Sequence, residues 1–569
     1  MYDKPFWHTA SGIVVLLGLF LAACEPRSAP ETASPPQPTT VSEATEPIIP
    51  TPAEEEPITV RYGTIVEPDR IEHQFLCSTC WKLIDVIWPA WEDFGPDGEF
   101  VPRDAEVDIS EDGKVFTFHL YPGMAWSDGT PFDASNLSEF WDWMANISIR
   151  DWMPLWKYSV SWKALDDLTF QVTTSVPIAA FRGNDNYLGN PLPPQVYGSM
   201  TEDEFWAYST DTPLSNGPLK VVEWKRGQYM VYEAIPEYHL GAPPFDRAIV
   251  QFYANWDSVA QALLAGEIDA VPIMLPADYV DQLAADPDIT VAEASPGPIL
   301  RLFLNMSPEG NVHPALRDRR VREAIDYAID KQKILDLALL GHGMLCPLRW
   351  HCGPYRSELL NPDIDLSPYE PETAKQILEQ AGYVDTNGDG VREMEDGSDL
   401  TFRLQFDTLD AANQVAAEIV RDSLKAIGIK TDVEAVEQGA LRELMLAAED
   451  YDMVVMPHTA DADPFTEWDW KASCWSAEED TGMNYSNYCN EDFQALLDLV
   501  QTTYDPTQRK QYIFEMDQTI ADDRPMIYLA AQNTLGAYRN DRVEMKTDLD
   551  YADYGYLFNW WSVMNMKVK

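Results

Sequence analysis

Two stretches of this 569-residue chain carry side chains whose types and spacing could do chemistry. In DTNGDGVREMED, Asp385, Asn387 and Asp389 stand at alternate positions. Gly390 follows at a sharp turn, then the Val391 carbonyl, and Asp396 closes the segment. This is the ligand spacing of a calcium loop, in which hard oxygen donors surround a hard cation. Aspartate stands last where glutamate is usual, which weakens bidentate coordination, and a hydrogen-bonded turn without metal is the alternative. In GHGMLCPLRWHCGPYR, His342, Cys346, His351 and Cys352 could form a soft-metal cluster. Alternatively, Cys346 and Cys352 close a small disulfide ring that stiffens a loop presenting Arg349 and Trp350. Neither stretch points to catalysis. The chain has no GxSxG, HExxH or Walker loop, and its eight histidines are scattered without a nucleophile partner, so it is expected to bind and not to transform.

The balance of 40 basic against 94 acidic residues leaves a net charge of −54. Such a surface repels nucleic acid and anionic headgroups, so no nucleic-acid partner is expected. The same field gathers cationic solutes, although solubility or adaptation to salt accounts for it as well. Of seven cysteines, setting Cys24 aside leaves six, which fall as near neighbours: Cys77 with Cys80, Cys346 with Cys352, and Cys474 with Cys489. Local pairing is the simplest of the connectivities six cysteines allow. The CSTC at Cys77 to Cys80 could instead be a redox pair, but it lacks the strand-then-helix setting of one.

The apolar run Ile13 to Ala23 follows Lys4 and His8 and is too short to cross a bilayer, which takes about 20 residues as a helix. It reads as an export signal. Leu21-Ala22-Ala23-Cys24 resembles the lipobox of bacterial lipoproteins. The resemblance implies a signal peptide over 1–23, lipid on the Cys24 sulfur, and an anchor outside the cytoplasmic membrane, at the cell surface or in a periplasm. The alternative is an ordinary signal peptide. Residues 24–57, dense in Pro, Thr, Ser and Glu, have little to bury and form a disordered tether.

Beyond Ile58 the pattern is that of a large folded body. Val115, Phe116, Phe118 and Leu120 make a strand that Pro122-Gly123 and then Asp128-Gly129 turn. Val321, Ala324, Ile325, Ala328 and Ile329 recur at helical spacing, so one stripe faces a core while Arg322, Glu323 and Lys331 stay wet. PETAKQILEQAG, Pro371 to Gly382, has the proline start and glycine stop of a short helix. A longer helix from Ala411 stops at Gly428 and leads to a β-branched strand.

In this order, the segments resemble the peptide, nickel and opine binding family of solute-binding proteins that serve ABC importers. DGKVFTFHLYPGMAWSDGTPFDASNL, from Asp112, is similar to its strand–turn–helix signature. Ser215 to His239, Ala262 to Val271, His313 to Leu335, Leu424 to Ile429 and Tyr451-Asp452-Met453 match later landmarks. The resemblance implies an α/β fold: a two-lobed periplasmic-binding-protein-like clamp of type II, with an extra subdomain in lobe one. Lobe one would take 58–300, with the subdomain inserted at about 86–205; lobe two would take 301–524, and 525–569 would return to lobe one. It also implies a monomer that closes on a solute and delivers it to an ABC permease and ATPase complex.

MPHTADADPFTEW, Met456 to Trp468, resembles the family's W-x-A-D-Y-x-D-P, whose first aspartate pairs with the α-ammonium of peptide ligands. That role falls on Asp461, with His458 beside it. The upstream tryptophan is absent, which counts against a strict peptide pattern, and the expected ligand is a peptide or another cationic small molecule. Glu67, which matches the family's E-P turn, Asn305, Arg349 and Trp350 complete the expected contacts. The 19 tryptophans keep an oligosaccharide as an alternative, because aromatic faces stack on sugar rings. A metal complex, or a sensor or adhesion lipoprotein without transport, are the others. No cofactor is expected to be required; a structural calcium at the Asp385 loop is the one candidate, with a bare hydrogen-bonded turn as the alternative.

Overall fold

The structure is a computed structural model. It describes residues 56–569 except 69, 72–80, 89, 95–99, 149, 151–153, 182–190, 273, 295–296, 310, 354–355, 446–449, 462, 475, 477–482 and 546–556. Cys24, Cys77 and Cys80, with the anchor and the local pairing expected of them, lie outside the described residues. Residues Pro57–Lys569 form one unit.

Apolar runs assemble two mixed sheets. The first contains seven strands, in the order Ile289–Ala294, Thr534–Arg539, Ala270–Val271, Thr59–Thr64, Arg247–Phe252, Tyr229–Ala234 and Leu219–Lys225. The second contains six: Gly343–Met344, Met526–Gln532, Ile299–Leu304, Met453–His458, Thr401–Asp407 and Lys430–Val436. Every residue of Ile299–Leu304 is buried. Strand alternation explains this, because each face has its own cover. Leu300, Leu302 and Leu304 pack with the helices Arg319–Ala328 and Ala411–Ala426. Ile299 and Phe303 pack with the helices Pro464–Ala472, Glu491–Thr502 and Pro506–Asp523.

A separate four-stranded antiparallel sheet, in the order Ala105–Ile109, Val115–Leu120, Thr169–Thr174 and Ser159–Asp166, builds the subdomain. Its helix, Ala134–Met144, starts where the Asp133 carboxylate accepts the Ser135 and Asn136 N–H groups. Trp91, Trp126, Trp141, Trp143 and Trp156 are buried in the aromatic cluster between sheet and helix. Ala179 N–H then donates to the Gln501 carbonyl (2.9 Å), tying the subdomain to lobe two.

The chain passes between the two large sheets twice, from Ala294 to Ile299 and from Gln532 to Thr534. The passages lie side by side: Gly297 N–H donates to the Gln532 carbonyl (2.6 Å) and Gln532 N–H to the Pro298 carbonyl (2.9 Å). A Cβ on Gly297 would sit 2.5 Å from Thr534 Oγ1 and 3.0 Å from the Gln532 oxygen, so only glycine fits without movement. This corrects two boundaries. Met526–Gln532 pairs with Ile299–Leu304 in the second sheet, so the return to lobe one starts at Thr534, not at 525. Lobe two begins with the strand at Ile299. An apolar strand read by itself does not reveal which neighbour it pairs with.

The stripe Val321, Ala324, Ile325 and Ala328 is buried, but the run is broken into Arg319–Ala328 and Lys331–Leu337, the second capped by Asp330. Arg322 and Lys331 are not wet. Arg322 donates to the Leu316 and Asp523 carbonyls, and Lys331 reaches the buried Asp326 carboxylate at 2.6 Å. Both long stems lie in the core because partners wait for their charged ends. Gly297→Ala is expected to lower stability by about 1–3 kcal/mol through forced displacement at the crossing. Urea unfolding checks this, and an unchanged midpoint would show that the passages are not tightly coupled.

Candidate functional site

Strand alternation puts Arg301 on the face of Ile299 and Phe303, under the helix Pro464–Ala472. A guanidinium in that apolar layer needs a counter-charge. Glu467 supplies it: Arg301 Nη2 lies 2.9 Å from Glu467 Oε1, and both side chains are fully buried. One helical turn on, Lys471 Nζ lies 2.5 Å from Glu467 Oε2 and 2.5 Å from Asp461 Oδ2. Asp461 N–H donates to Glu467 Oε2 (2.9 Å), closing the loop onto the helix. The result is an alternating array, Arg301–Glu467–Lys471–Asp461, with no net charge. Burial pushes the Glu467 carboxyl up, but Arg301 and Lys471 more than offset this and hold it at about 2. Asp461 is raised, by burial and by Glu467, against the pull of Lys471.

His458 borders the array. Its Nδ1 lies 3.0 Å from the Thr459 carbonyl, which makes Nδ1–H the donor and leaves Nε2 as an acceptor. Burial, Lys471 and Arg301 depress the imidazole to about 3, so it is neutral at physiological pH. Asp463, the cap of the helix, accepts from Phe465 N–H and from Arg509 (2.6 Å) and Arg356 (3.0 Å). On the same helix, Trp468 Nε1–H donates to Asp517 Oδ1 (2.9 Å), and burial pushes the Asp517 carboxyl up to about 8.

The array lies at the end of the sheet that looks toward lobe one. His458 pairs with Ile299, at the start of the strand that has just crossed, so the loop after His458 leaves at the crossing. Thr401–Asp407 runs parallel to Met453–His458 and ends on the same side. There, a small crevice with a cavity volume of about 30 Å³ is lined by Leu275, Asp278 and Leu535 from lobe one, His342 and Asp410 from lobe two, and Gln532 and Asn533 of the crossing. Asp410 is raised by burial and also by the negative charge of Asp278 across the cleft. Open α/β sheets present their binding crevices at such carboxyl ends.

Of the expected contacts, the structure brings His458 and Asp461 together and scatters the rest. Asp461 was expected to need a cation from the ligand, but Lys471 of its own chain supplies one. Glu67 is committed to a hairpin turn, accepting from Trp224 Nε1–H (3.0 Å) and Gly227 N–H (2.9 Å). Asn305 follows the far end of the strand that starts at the crossing, about 20 Å from it at 3.3 Å per residue. It is buried there between Tyr451, Ser307 and Asn487. Trp350 is not presented to a ligand: it is fully buried and donates to the Leu359 carbonyl (3.2 Å). Arg349 turns to the His351 and Asn361 carbonyls. Cys346–Cys352 and Cys474–Cys489 are disulfides, which removes the soft-metal reading of His342, Cys346, His351 and Cys352. At the acidic loop, Asp385 and Asp389 converge with Glu393, while Asp396 turns away to Ser398.

Sequence reasoning missed Arg301, Glu467 and Lys471. The signals were a lone cation inside ILRLFL and an acid–base pair four residues apart on one helix.

A family model described as bacterial extracellular solute-binding proteins, family 5, matches residues 99–477. The chain belongs to this family. Among the relatives of this family 5 protein, the oligopeptide-binding protein AppA of Bacillus subtilis is 28% identical over 390 residues, 65% of this chain and 66% of AppA. The nickel-binding periplasmic protein of Escherichia coli is 27% identical over 355 residues, 61% of this chain and 65% of that protein. The matched stretch thus spans about two thirds of either relative. The solved structure of AppA with a nonapeptide superposes with a TM-score of 0.76 at 21% identity, over 90% of this chain and 100% of that one. The periplasmic oligopeptide-binding protein of Thermotoga maritima with bound mannohexaose gives 0.76 at 17%, over 90% and 99%. The fold is the two-lobed one of periplasmic binding proteins. Among the described residues, no helix is long and apolar enough to cross a membrane.

Two variants test the charge array and its neighbour. Lys471→Met leaves Asp461 without its cation and Glu467 with Arg301 alone, and is expected to cost about 1–3 kcal/mol in urea unfolding; an unchanged midpoint would show that Asp461 and Glu467 do not need the ammonium. Asp517 is held above the unfolded carboxyl's pKa, so its contribution is complete below about pH 4 and is lost as the pH rises toward about 8. Asp517→Asn should therefore gain on the wild type as pH rises, by about 1.4 kcal/mol per unit across that window. Paired unfolding curves at pH 5 and pH 8 with no relative change would place the Asp517 proton elsewhere.

Proposed function

We propose that this family 5 protein is the receptor of an ABC importer. Lipid on Cys24 holds it to the membrane and residues 24–57 act as a leash. It captures a peptide or other small cationic solute between its lobes and hands it to a permease and ATPase. The observation that carries the ligand class is the pair of acids at the crossing. Asp278 on lobe one and Asp410 on lobe two face the same cleft, and the charge of one already raises the proton affinity of the other. Among the described residues, neither forms an ion pair with a lysine or arginine. Bringing two like charges together opposes closure, whereas a cationic group between them turns the same electrostatics into attraction. The ammonium therefore belongs at this pair, and not at Asp461, where Lys471 stands in for it.

The names of the relatives support a small-solute receptor of this breadth: AppA is an oligopeptide-binding protein whose structure contains a nonapeptide, and the Escherichia coli relative binds nickel. An oligosaccharide has less support, because Trp91, Trp126, Trp141, Trp143 and Trp156 are spent in the subdomain core.

The test starts from the soluble form beginning at Ile58. Native mass spectrometry is expected to find it carrying peptide or other cationic masses, and small-angle scattering to show compaction when they rebind. Asp410→Asn keeps the helix cap, since asparagine caps as well as aspartate, and should weaken capture at least tenfold. Unchanged affinity in both Asp410→Asn and Asp278→Asn would reject the cationic reading, and the absence of compaction with any bound solute would reject closure.

A further inference from the structure

The acidic loop is wound by its own backbone. Asp385 accepts from Gly388 N–H (2.6 Å) and Gly390 N–H (3.0 Å), Asn387 from Asp389 N–H (2.8 Å), and Asp389 from Val391 N–H (2.8 Å). These turns alone point to no ligand, because many exposed loops hold acids this way. Glu393 is different. It is 5% exposed, and one of its carboxylate oxygens accepts from Thr386 N–H (2.7 Å). The other, Oε1, is fully buried and has no hydrogen-bond partner among the described residues. An oxygen from Glu393 lies within 4.8 Å of oxygens from Asp385 and Asp389. A buried, unpartnered carboxylate oxygen is costly by itself, and two further carboxylates beside it raise that cost. Among the described residues, no lysine or arginine forms an ion pair with any of the three.

The backbone that carries Glu393 is fixed at the base of the loop. Its N–H donates to the Val384 carbonyl (3.2 Å). The preceding residue, Arg392, donates through its side chain to the Ile427 (2.8 Å) and Tyr383 (2.7 Å) carbonyls and through its backbone to that of Gly428 (2.8 Å). The backbone bearing Glu393 is thus held against the turn that follows the helix Ala411–Ala426, while Thr386 N–H keeps the carboxylate on the loop.

We propose that Asp385, Asp389 and Glu393 bind a calcium ion. The cation would take the vacant lone pairs of Glu393 Oε1, with Asn387 and the Val391 carbonyl at alternate positions of the same loop available as further oxygen donors. The donors are all hard oxygens, with no imidazole or thiolate among them, which favours calcium over a transition metal. A loop rich in carboxylates and carbonyls also suits an ion that takes six to eight oxygens better than magnesium, which retains its waters. Asp396, the expected last ligand, instead accepts from Ser398 N–H (3.0 Å) and Oγ–H (2.6 Å) and caps the next turn. Glu393 replaces it. The ion would clamp the loop to the edge of lobe two, so its effect falls on stability and not on solute capture.

A chain with net charge −54 also gathers calcium diffusely, so the experiment must separate one site from a surface. Chelator-stripped protein is titrated with calcium chloride in a calorimeter at 0.15 M salt, and melting is followed with calcium and after EGTA. The expected result is one saturable site per chain and a melting temperature that rises by a few degrees and falls back with EGTA. Glu393→Gln and Asp389→Asn should each weaken the site at least tenfold. If Glu393→Gln does not fold, the exposed Asp389→Asn decides alone. No stoichiometric binding, or binding undiminished in Asp389→Asn, overturns the proposal and leaves the acidic surface as the binder. Equal affinity for magnesium overturns the assignment to calcium.

Discussion

Two passages of chain locked side by side govern the architecture. Gly297 and Pro298 exchange backbone hydrogen bonds with Gln532, and the absence of a side chain at Gly297 lets the strands meet. Because Ile299–Leu304 starts and Met526–Gln532 ends at this point, the orientation of the whole second sheet follows from it. The carboxyl end of Met453–His458 must then lie at the crossing, and so must that of its parallel neighbour Thr401–Asp407. The loops that follow, carrying Asp461 and Asp410, are delivered to the boundary between lobes by strand direction alone.

Around that boundary the protein treats its charges in two ways. Arg301, Glu467, Lys471 and the half-buried Asp461 neutralise one another in a row, and the burial of the first three is tolerable only because each has an opposite neighbour at hydrogen-bond distance. Such an array stiffens the loop between strand and helix and keeps His458 uncharged beside it. Asp278 and Asp410 have no such partner among the described residues, and their mutual repulsion is the kind of imbalance that a bound cation can resolve. The first arrangement serves the fold; the second leaves two like charges facing one another at the boundary between lobes.

The lobe-one subdomain shows where part of the tryptophan content is used. A small sheet covered by one helix has few residues with which to build a core, and large aromatic rings fill that volume with fewer side chains. Trp91, Trp141 and Trp156 do this work, each at or below 3% exposure, which leaves their faces unable to stack on a sugar. Cys346–Cys352 and Cys474–Cys489 act locally in the same sense, each closing a short loop of lobe two.

Much of the frame was legible in the residues. The stripe from Val321 to Ala328, the stop at Gly428, the neighbouring cysteines and the strand–turn–helix run from Asp112 are local signals, set by backbone periodicity, glycine geometry and sequence proximity. Those rules need no knowledge of distant chain. What a side chain meets was not legible. Arg322 and Lys331 look like solvent-facing residues until carbonyls and a carboxylate from elsewhere receive them. Glu67 and Trp350 look like ligand contacts until a hairpin and a core claim them, and the spacing of the acidic loop nominated Asp396 where Glu393 converges. The sequence by itself determined many of the elements and their order, because these depend on short-range pattern, while the two-lobed plan came from the resemblance of its motifs to a family. Only the tertiary structure decided which acids are already neutralised and which lie beside other acids, because that depends on charges brought within a few ångströms by strands far apart in the chain.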